Sequence, residues 1–516
     1  MDAEHAAQLM LVVAVVILAA VGGVRLAARF GLPGLLFYLG LGLLISDEGI
    51  GGVVFDNAEL ATALGYAGLV VILAEGGLTT RPSTVRPVLV PAGIMASLGV
   101  AISIFLVALP LYWMAGLDLR VAILIGAVLA PTDAAAVFTV ARGLRLPSRL
   151  QTLLEAESGF NDAPVVVLVV LLSTTVGSDM PAWLVPIIVM AELIGGLILG
   201  ALVGLFARWL LPRLALPAAG LYPIAVIALF MLSYGLAVVL HTSGFAAVYV
   251  TALILAASEL PHRRSVLGFV EGLAWAVQIG LFVMLGLLVV PDRLPEAMGV
   301  AALAGAALLF LARPASVVAS LAPFWRPGWV SRVSRTAPMP WQWAAFASWA
   351  GLRGAVPIVF ATIPLGALGA DGELIFDVTM LLVVALTLLQ SPTMPVLARR
   401  LGLVRPEQVG ELTVEAAPLD TMHAALLDLD IPQGSRVVGA YITELPLPTG
   451  AVVSLVVRGG HTLVPDRNTR VKVGDRLLIV STLSARAATE RALQSVSSSG
   501  RLAGWVERAD EGRDGE

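Results

Sequence analysis

Long apolar runs joined by short polar connections make up most of the sequence as far as residue 400. A helix that crosses a bilayer needs about 17–25 mostly apolar residues. On that criterion the sequence predicts thirteen membrane spans, of which the second and the ninth are short. Their predicted ranges are 7–28, 33–45, 60–78, 88–115, 119–142, 149–176, 182–211, 221–240, 243–257, 266–290, 297–321, 341–367 and 374–398.

The predicted spans fall into two sets of six, one to six and eight to thirteen, with the seventh span between them. Because the linking span carries the chain across the membrane once more, the second set is inverted relative to the first. The fifth and twelfth spans are interrupted by Pro or Gly and hold matching positions in the two sets. Paired interrupted helices in inverted repeats are typical of transporters with a site near the midplane. The predicted fold class is a polytopic α-helical membrane protein of two inverted six-helix repeats.

Arginines are concentrated in alternate connections between the predicted spans. The odd-numbered connections hold Arg25, Arg29, Arg81, Arg86, Arg142, Arg145, Arg149, Arg208, Arg213, Arg263, Arg264, Arg326, Arg332 and Arg335. The even-numbered connections hold Arg120 and Arg293. Since Arg and Lys are enriched in cytoplasmic loops, the odd connections are predicted to be cytoplasmic, with the N-terminus outside and the C-terminus inside.

The composition favours a membrane protein and excludes several kinds of site. Of the 516 residues, 58% are hydrophobic and 13% are charged, which is too little charge for the surface of a soluble enzyme of this size. Without cysteine there is no disulfide and no thiolate nucleophile, and the five histidines are scattered singly. We therefore expect a protein that is not an enzyme, with no cofactor and no nucleic-acid partner.

The sequence changes character after a predicted transmembrane domain of residues 1–400. Residues 401–430 are mixed and more charged, which predicts a linker. Residues 431–495 predict a small cytoplasmic α/β domain, because short β-prone runs alternate with turn formers. Those runs are 436–442, 451–457, 462–464, 470–473 and 476–480. Residues 496–516 have the composition of a disordered tail, and no phosphate-binding glycine loop that would support ATP-driven transport occurs there.

Pro131, Thr132 and Asp133 lie near the middle of the fifth predicted span. Proline cannot donate a backbone hydrogen bond, which leaves the carbonyl of Ala127 without its helical partner. A helix that is broken at this depth must line a cavity or be buried in protein. Freed carbonyls, a hydroxyl and a carboxylate are hard oxygen ligands, which suit an alkali cation. The alternative is a proline kink beside a buried, neutral Asp133.

A second polar cluster begins the sixth predicted span. Glu157 and Asn161 are four residues apart and share a helix face, as do Ser158 and Asp162. Ionisable residues deep inside a span are costly, and they therefore indicate a function. A desolvated carboxylate at Asp162 is suited to alternate between a proton and a metal ion. The alternative is a structural hydrogen-bond cluster that holds two helices together.

Arg353 lies within the apolar twelfth span, where a lone guanidinium needs an anionic partner. Glu157 and Asp133 are the candidate partners, and an arginine that reaches the interface is the alternative. Residues that weaken or break helices occur at this position and beside both polar clusters. The predicted helix breaks are Pro131, Pro164, Gly351, Gly354 and Pro357. Other intramembrane polar residues are Glu75, Glu192, Glu271, Gln278 and the run 390–393.

Three segments in this order are Pro131-Thr132-Asp133, Glu157-Ser158-Gly159-Phe160-Asn161-Asp162 and Gly351-Leu352-Arg353-Gly354-Ala355. They resemble the signature segments of the monovalent cation/proton antiporter-1 family, the NhaP-like potassium/proton antiporters. The resemblance covers about residues 5–400. It implies a homodimer in a bacterial inner membrane, built from a dimerisation domain and a core domain in which two broken helices cross.

The resemblance also implies roles for the polar residues. Asp162 would bind the monovalent cation and the proton in turn, and a buried pair of Glu157 and Arg353 would hold the core helices together. The residues implied to complete the cation site are Thr132, Asp133, Ser158 and Asn161. A neutral residue before the key acid, as at Asn161, resembles the electroneutral members, which exchange one proton for one cation.

Segments of the C-terminal domain, 434–448 and 457–465, resemble the C-terminal half of the RCK (TrkA-type) regulatory domain. That resemblance implies a dimeric regulator, and a cyclic dinucleotide is the candidate ligand. The candidate regulatory residues are Arg436, Val437, Val438, Ile442, Val456, Arg458 and His461. NAD or ATP control is not expected, because the nucleotide-binding half of that domain is missing.

Two alternatives remain at this point. Potassium is favoured over sodium because the pairing of exchanger and regulatory module is similar to that of bacterial potassium/proton antiporters, but a sodium/proton antiporter is the alternative. A potassium channel gated by an RCK-like module belongs to a different class. A channel of that class would contain a Thr-Val-Gly-Tyr-Gly-like filter between two helices, and the sequence has none.

Overall fold

A computed structural model describes residues 3–29, 34–55, 57–80, 85–133, 136–137, 144, 146–174, 181, 183–325, 338–404, 414–419, 424–431, 435 and 437–498. The chain divides into two compact units, Met1–Val404 and Arg405–Glu516. We call them the membrane unit and the C-terminal unit. Arg436 and the predicted tail from residue 499 onward lie outside the described residues.

Helices account for most of the described membrane unit. They are α1 Ala3–Arg29, α2 Leu35–Ile45, α3 Ala58–Thr79, α4 Leu89–Met114, α5 Leu119–Val128, α6 Ser148–Ser173, α7 Leu184–Leu210, α8 Leu221–Val239, α9 Gly244–Ala256, α10 Arg263–Leu287, α11 Pro291–Phe324, α12 Trp341–Trp349, α13 Ala355–Ala367 and α14 Ala370–Arg400. In the described part of the chain, eight helices are long and apolar enough to cross a membrane, and shorter apolar helices accompany them.

The helices follow the predicted apolar spans along the chain, and the fifth and twelfth spans contain non-helical backbone. Helix α5 ends at Val128, and residues 130–133 are non-helical. Helix α12 ends at Trp349, and α13 begins at Ala355 after the non-helical residues 350–354. The number of spans and the inverted repeat stay predictions.

Two prolines do not break helices as predicted. Helix α6 continues unbroken through Pro164 from Ser148 to Ser173, which is tolerated in a membrane where neighbouring groups satisfy the freed carbonyl. Pro357 lies in the first turn of α13, where backbone N–H groups have no intrahelical partner in any case. Pro131 lies in non-helical backbone, as predicted for a helix break.

Glycines permit two close helix crossings outside the broken helices. A Cβ at Gly42 of α2 would collide with the carbonyl of Val283 on α10, and one at Gly286 would collide with that of Leu39. Helices α7 and α9 approach similarly, and the buried Thr251 donates a hydrogen bond to the carbonyl of Gly200 at 3.0 Å. Small residues allow such approach in a membrane, where packing and interhelical hydrogen bonds replace the hydrophobic effect.

Two π-helical segments, which the sequence did not predict, lie in α4 and α11. They are Met95–Gly99 and Ala307–Ala312. Each packs against the helix that contains the other, and a Cβ at Gly99 would lie 3.0 Å from the hydroxyl of Ser320. The two π-helical segments lie in the fourth and eleventh predicted spans, which hold matching positions in the two predicted six-helix sets. The non-helical segments of the fifth and twelfth spans match in the same way.

The described residues of the C-terminal unit form a five-stranded antiparallel sheet and a helix. The strands are β1 Val414–Leu419, β2 Ala424–Asp430, β3 Ala451–Arg458, β4 His461–Leu463 and β5 Arg476–Thr482, and helix α15 is Leu483–Ser498. The spatial order is β1-β2-β5-β3-β4. Leu427, Val456 and Ile479 belong to the core of this unit.

Two expectations for the C-terminal unit were wrong. The predicted linker 401–430 contains β1 and β2, and β2 pairs with β5 from Ala424↔Thr482 to Asp430↔Arg476. In β2 the alternate residues Leu427 and Leu429 are buried. This period of two is that of a strand, and it forms a strand here in spite of the charged residues Asp428 and Asp430. The described part of the predicted strand 436–442 is not a strand: residues 437–439 form a turn, and Tyr441 makes an isolated bridge to Arg470.

Candidate ion-binding site

The two non-helical segments of the membrane unit, residues 130–133 and 350–354, contact each other directly. The backbone N–H of Asp133 donates to the carbonyl of Leu352 at 2.9 Å. The Arg353 guanidinium donates to the carbonyl of Ala130 at 2.7 Å and also to that of Pro131. Carbonyls at the end of α5 carry partial negative charge, so Arg353, which is 1% exposed, joins the two segments by neutralising them.

Helix α6 approaches the same place through one turn of polar side chains. The hydroxyl of Ser158 donates to the carbonyl of Thr132 at 2.6 Å. The amide of Asn161 donates to the hydroxyl oxygen of Thr132 at 3.1 Å. Thr132 is buried and lies outside any helix. The bond from Ser158 holds its carbonyl and the bond from Asn161 holds its side chain, so both groups are fixed relative to α6.

Two oxygens in this cluster have no partner among the described residues. Asp162 is 5% exposed, and its Oδ1 accepts no hydrogen bond; the Oδ1 of Asn161, also buried, accepts none. A buried oxygen without a partner loses hydration without compensation. The amide nitrogen of Asn161 faces the hydroxyl of Thr132, which leaves the amide oxygen as the group without a partner.

Asp133 lies close enough to Asp162 for their charges to interact. Its Oδ1 accepts a hydrogen bond from the N–H of Ala136 at 3.1 Å. A Cβ at Gly354 would collide with the other carboxylate oxygen of Asp133. Gly354 is thus needed because it leaves room for that carboxylate where the two segments cross.

The predicted role of the freed backbone carbonyls needs correction. The carbonyl of Ala127 is not left without a partner, because it accepts from the N–H of Ala130 at 3.1 Å. Arg353 occupies the carbonyls of Ala130 and Pro131, and Ser158 occupies that of Thr132. Among the side chains of the described site residues, the oxygens without a partner are the Oδ1 atoms of Asp162 and Asn161.

The predicted ion pair of Glu157 with Arg353 is wrong. Glu157 is paired with Arg313 of α11, at 2.5 Å from Nη1 to Oε1 and 3.0 Å from Nη2 to Oε2. Both side chains are buried, and the Nε of Arg313 also donates to the carbonyl of Ala347 at 3.3 Å. A two-pronged pair of this kind satisfies both carboxylate oxygens, which leaves Arg353 to the backbone carbonyls.

Sequence reasoning missed Arg313 although a signal was present. It lies inside the eleventh predicted span, in the apolar run Leu308–Ala312 followed by Arg313 and Pro314. An arginine at that depth indicates a buried partner as strongly as Arg353 does. Gly351 belongs with it, since a Cβ there would lie 2.8 Å from the Nε of Arg313.

The predicted regulatory residues of the C-terminal unit have different environments. Val437 and Val456 are buried in its core, so their side chains are not available to a ligand. Arg458 donates to both carboxylate oxygens of Asp475 at 2.7 Å. Residues 456–458 of β3 pair with β4, and 456–457 pair also with β5. The backbone of these residues is paired within the sheet and is not available to a ligand.

The side chains of Val438 and His461 are exposed, whereas Ile442 is partly buried and packs against the core of the unit. Only Val438 and His461 of these three are therefore open to a partner. Arg436 lies outside the described residues.

Comparison with protein families matches two models to this chain. Residues 15–400 match the family described as sodium/hydrogen exchanger, transmembrane. Residues 426–494 match the TrkA-C domain. The first match contains the whole cluster around Asp162, and the second contains β3, β4, β5 and most of β2.

Similar curated proteins cover most of the chain. A K(+)/H(+) antiporter NhaP of Alkalimonas amylolytica is 32% identical over 500 residues, which are 94% of this chain and 84% of that protein. A K(+)/H(+) antiporter NhaP2 of a Shewanella species, strain MR-4, is 33% identical over 461 residues, covering 88% and 78%. A Na(+)/H(+) antiporter ApNhaP of Aphanothece halophytica is 27% identical over 345 residues, covering 64% and 63%.

A solved structure has a similar fold. The sodium proton antiporter MjNhaP1 from Methanocaldococcus jannaschii at pH 8 superposes with a TM-score of 0.63. The alignment covers 76% of this chain and 99% of that chain, with 20% sequence identity. At that identity the similarity concerns the helical membrane fold.

Proposed function

The chain belongs to the sodium/hydrogen exchanger family and is a cation/proton antiporter of the NhaP type, and from that premise we propose that it exchanges cytoplasmic K+ for H+ with one proton per cation. The observation that carries this proposal is the arrangement around Asp162. A buried carboxylate has an oxygen without a partner, and beside it lies the equally unpartnered oxygen of Asn161.

Asp162 is proposed to hold the cation and the proton in turn. A dehydrated monovalent cation needs several oxygen ligands, and the two unpartnered oxygens with the hydroxyls of Thr132 and Ser158 supply them. Asp133 adds negative charge nearby. When the cation leaves, a proton neutralises Asp162. Both loaded states then carry the same charge, so the exchange is electroneutral if no other group titrates in the cycle.

The choice of K+ over Na+ rests on the relatives. The two long, similar proteins that share more than three quarters of their length with this chain are named K(+)/H(+) antiporters. The alternative is Na+/H+ antiport, the activity in the name of ApNhaP and of the solved MjNhaP1.

The assembly and its movement are part of the same proposal. We place the protein in a bacterial inner membrane as a homodimer, with its N-terminus outside and its C-terminus in the cytoplasm. The core that contains α5, α6, α12 and α13 moves against a dimerisation domain to expose Asp162 to either side. The ion is carried by this movement and does not pass through an open pore, unlike an ion in an RCK-gated potassium channel.

The decisive experiment is proton flux in inverted vesicles. K+, Na+, Rb+ and Li+ are added separately at several pH values, and vesicles without the protein serve as the control. Proton release that depends on K+ and does not respond to an imposed membrane potential supports K+/H+ exchange of one for one. Flux with Na+ alone selects the alternative ion. Cation flux without proton movement would contradict antiport.

The C-terminal unit is proposed to regulate transport. A ligand that binds it can shift the exchanger only if it binds two conformations unequally. A cyclic dinucleotide stays the candidate ligand, with exposed side chains at Val438 and His461 as its proposed contacts. Transport by the full chain is compared with transport by a chain ending at Val404, with and without the dinucleotide. Identical rates and pH profiles would contradict regulation.

A further inference from the structure

Helix α12 ends immediately before the non-helical segment 350–354, which contacts the residues of the candidate ion-binding site. Its last residue is Trp349, and Leu352 and Arg353 follow within one turn's length. Those two residues make the backbone contacts to the segment that ends at Asp133. The place where α12 stops therefore sets the position of the contacts that hold Thr132 and Asp133.

Helix α14 forms hydrogen bonds with both the backbone and the side chain of Trp349. The amide nitrogen of Gln390 donates to the carbonyl of Trp349 at 2.9 Å. The indole N–H of Trp349 donates to the hydroxyl oxygen of Thr393 at 2.8 Å. Residues three apart lie on the same helix face, so Gln390 and Thr393 hold Trp349 from one side. We call these three residues the Trp349 clamp.

The clamp satisfies a carbonyl that the helix itself cannot. The last four carbonyls of a helix have no intrahelical donor. In α12, Arg313 donates to the carbonyl of Ala347 from α11, and Gln390 donates to that of Trp349 from α14. The end of α12 is thereby fixed from two neighbouring helices, just before the chain crosses the site.

Gln390 makes this contact at a cost to its own oxygen. A carbonyl only accepts, so the amide nitrogen must face Trp349. The Oε1 of Gln390 is then buried without a partner, as are the hydroxyls of Thr387 and Ser391 on the same helix. An apolar side chain would avoid the cost of that oxygen. The retained cost indicates that the donated bond to Trp349 serves more than helix packing.

We propose that Gln390 and Thr393 are positioning residues for ion exchange, which act through Trp349 to hold the non-helical segment 350–354 against Thr132 and Asp133. This inference rests on the proposed antiport function. Neither residue touches the cation. Loss of the clamp lets the end of α12 shift, which moves Leu352 and Arg353 and loosens the cation's oxygen ligands.

The test replaces Gln390 by Met, which has similar length and no hydrogen-bond donor. Cation-dependent proton flux is measured in vesicles as a function of cation concentration, and thermal unfolding is followed in detergent. We expect the half-saturating cation concentration to rise about tenfold, as is typical when the supporting shell of a metal site is disturbed. The temperature of unfolding should change little, because the variant also removes the unpartnered Oε1.

Thr393 provides a finer test with a rescue. Thr393→Val removes the acceptor of the indole N–H and should raise the half-saturating concentration, whereas Thr393→Ser keeps the hydroxyl and should restore it. The effects of Trp349→Phe and Thr393→Val should not add, since each removes the same bond. The matched control is Thr379→Val on the same helix, whose hydroxyl bonds only to its own helix at the carbonyl of Ile375.

The outcomes separate this inference from the proposed function. If the unmodified protein shows no cation-dependent proton flux, the proposed function fails. If it shows that flux and Gln390→Met and Thr393→Val leave the half-saturating concentration unchanged, the clamp has no positioning role. If the variants lower only the unfolding temperature, or if Thr379→Val has the same effect as Thr393→Val, the clamp is merely structural.

Discussion

Helix α6 carries two buried carboxylates that the protein treats in opposite ways. Glu157 is 2% exposed, and both of its oxygens accept hydrogen bonds from Arg313. Asp162 is 5% exposed, yet one of its oxygens has no partner among the described residues. Burial alone does not separate the two acids, whereas the number of satisfied oxygens does.

The contrast distinguishes a structural charge from one that is available to cargo. A buried carboxylate whose oxygens are satisfied gains nothing from a cation, and removing its partner strands a charge. A buried carboxylate with an open oxygen is more stable when a proton or a metal ion joins it. The same helix therefore anchors the core at Glu157 and is proposed to carry the ion at Asp162.

The largest expected effect comes from Asp162→Asn. The amide keeps the size of the side chain but cannot exchange a proton for a cation, so cation-dependent proton flux should fall to the background of empty vesicles. The unfolding temperature should stay the same or rise, because an unpartnered buried charge has been removed. The matched control is Asp371→Asn at the exposed end of α14, which should keep normal flux. Flux retained by Asp162→Asn would sink the mechanism.

Arg313→Met should give the next largest effect, on stability. It leaves Glu157 as a buried charge without its partner, and breaking such pairs costs about 3–5 kcal/mol. Thermal unfolding in detergent and yield after extraction measure the loss. Adding Glu157→Gln should recover part of it, since the stranded charge is then gone. No recovery in the double variant would show that the two side chains are not energetically coupled.

Arg353→Met should also lower stability, and Glu157→Gln should not rescue it. The arginine donates to the carbonyls of Ala130 and Pro131, and each buried carbonyl that is left unsatisfied costs about 1–3 kcal/mol. The same unfolding assay compares it with Arg313→Met. Rescue of Arg353→Met by Glu157→Gln would restore the pairing of Glu157 with Arg353 that the sequence suggested and that the structure contradicts.

The sequence predicted the apolar helical segments, because apolar run length is a local property, and it marked Asp162 as a buried carboxylate. It could not predict which arginine pairs with Glu157. Arg313 and Arg353 are both buried in apolar runs far along the chain, and only the tertiary fold, which brings Arg313 of α11 to Glu157 of α6, decides between them. The π-helical segments have no sequence marker, and β1 and β2 were hidden by their charged neighbours.

The smallest effect on transport, and the last test of the contrast, concerns a paired carboxylate outside the membrane unit. Asp475 is buried in the C-terminal unit, where it accepts two hydrogen bonds from Arg458 and one from the N–H of Lys472 at 2.8 Å. Burial raises the pKa of Asp475, but the hydrogen bonds from Arg458 and Lys472 outweigh it, so the pKa lies below that of an ordinary aspartic acid. Like Glu157, it is a satisfied charge.

A lowered pKa in the folded state means that Asp475 contributes stability at pH values above the ordinary pKa of an aspartic acid, and that this contribution is lost as the pH falls through the lower folded value. Asp475→Asn should therefore speed amide hydrogen exchange of β3 and β5 at neutral pH. The ratio of the exchange rate in the variant to that in the parent protein should approach one at acidic pH. The full chain is measured, with Asp466→Asn, an exposed acid nearby, as the control. A ratio that is independent of pH would mean that the carboxylate acts by shape and not by charge, which would separate it from Glu157.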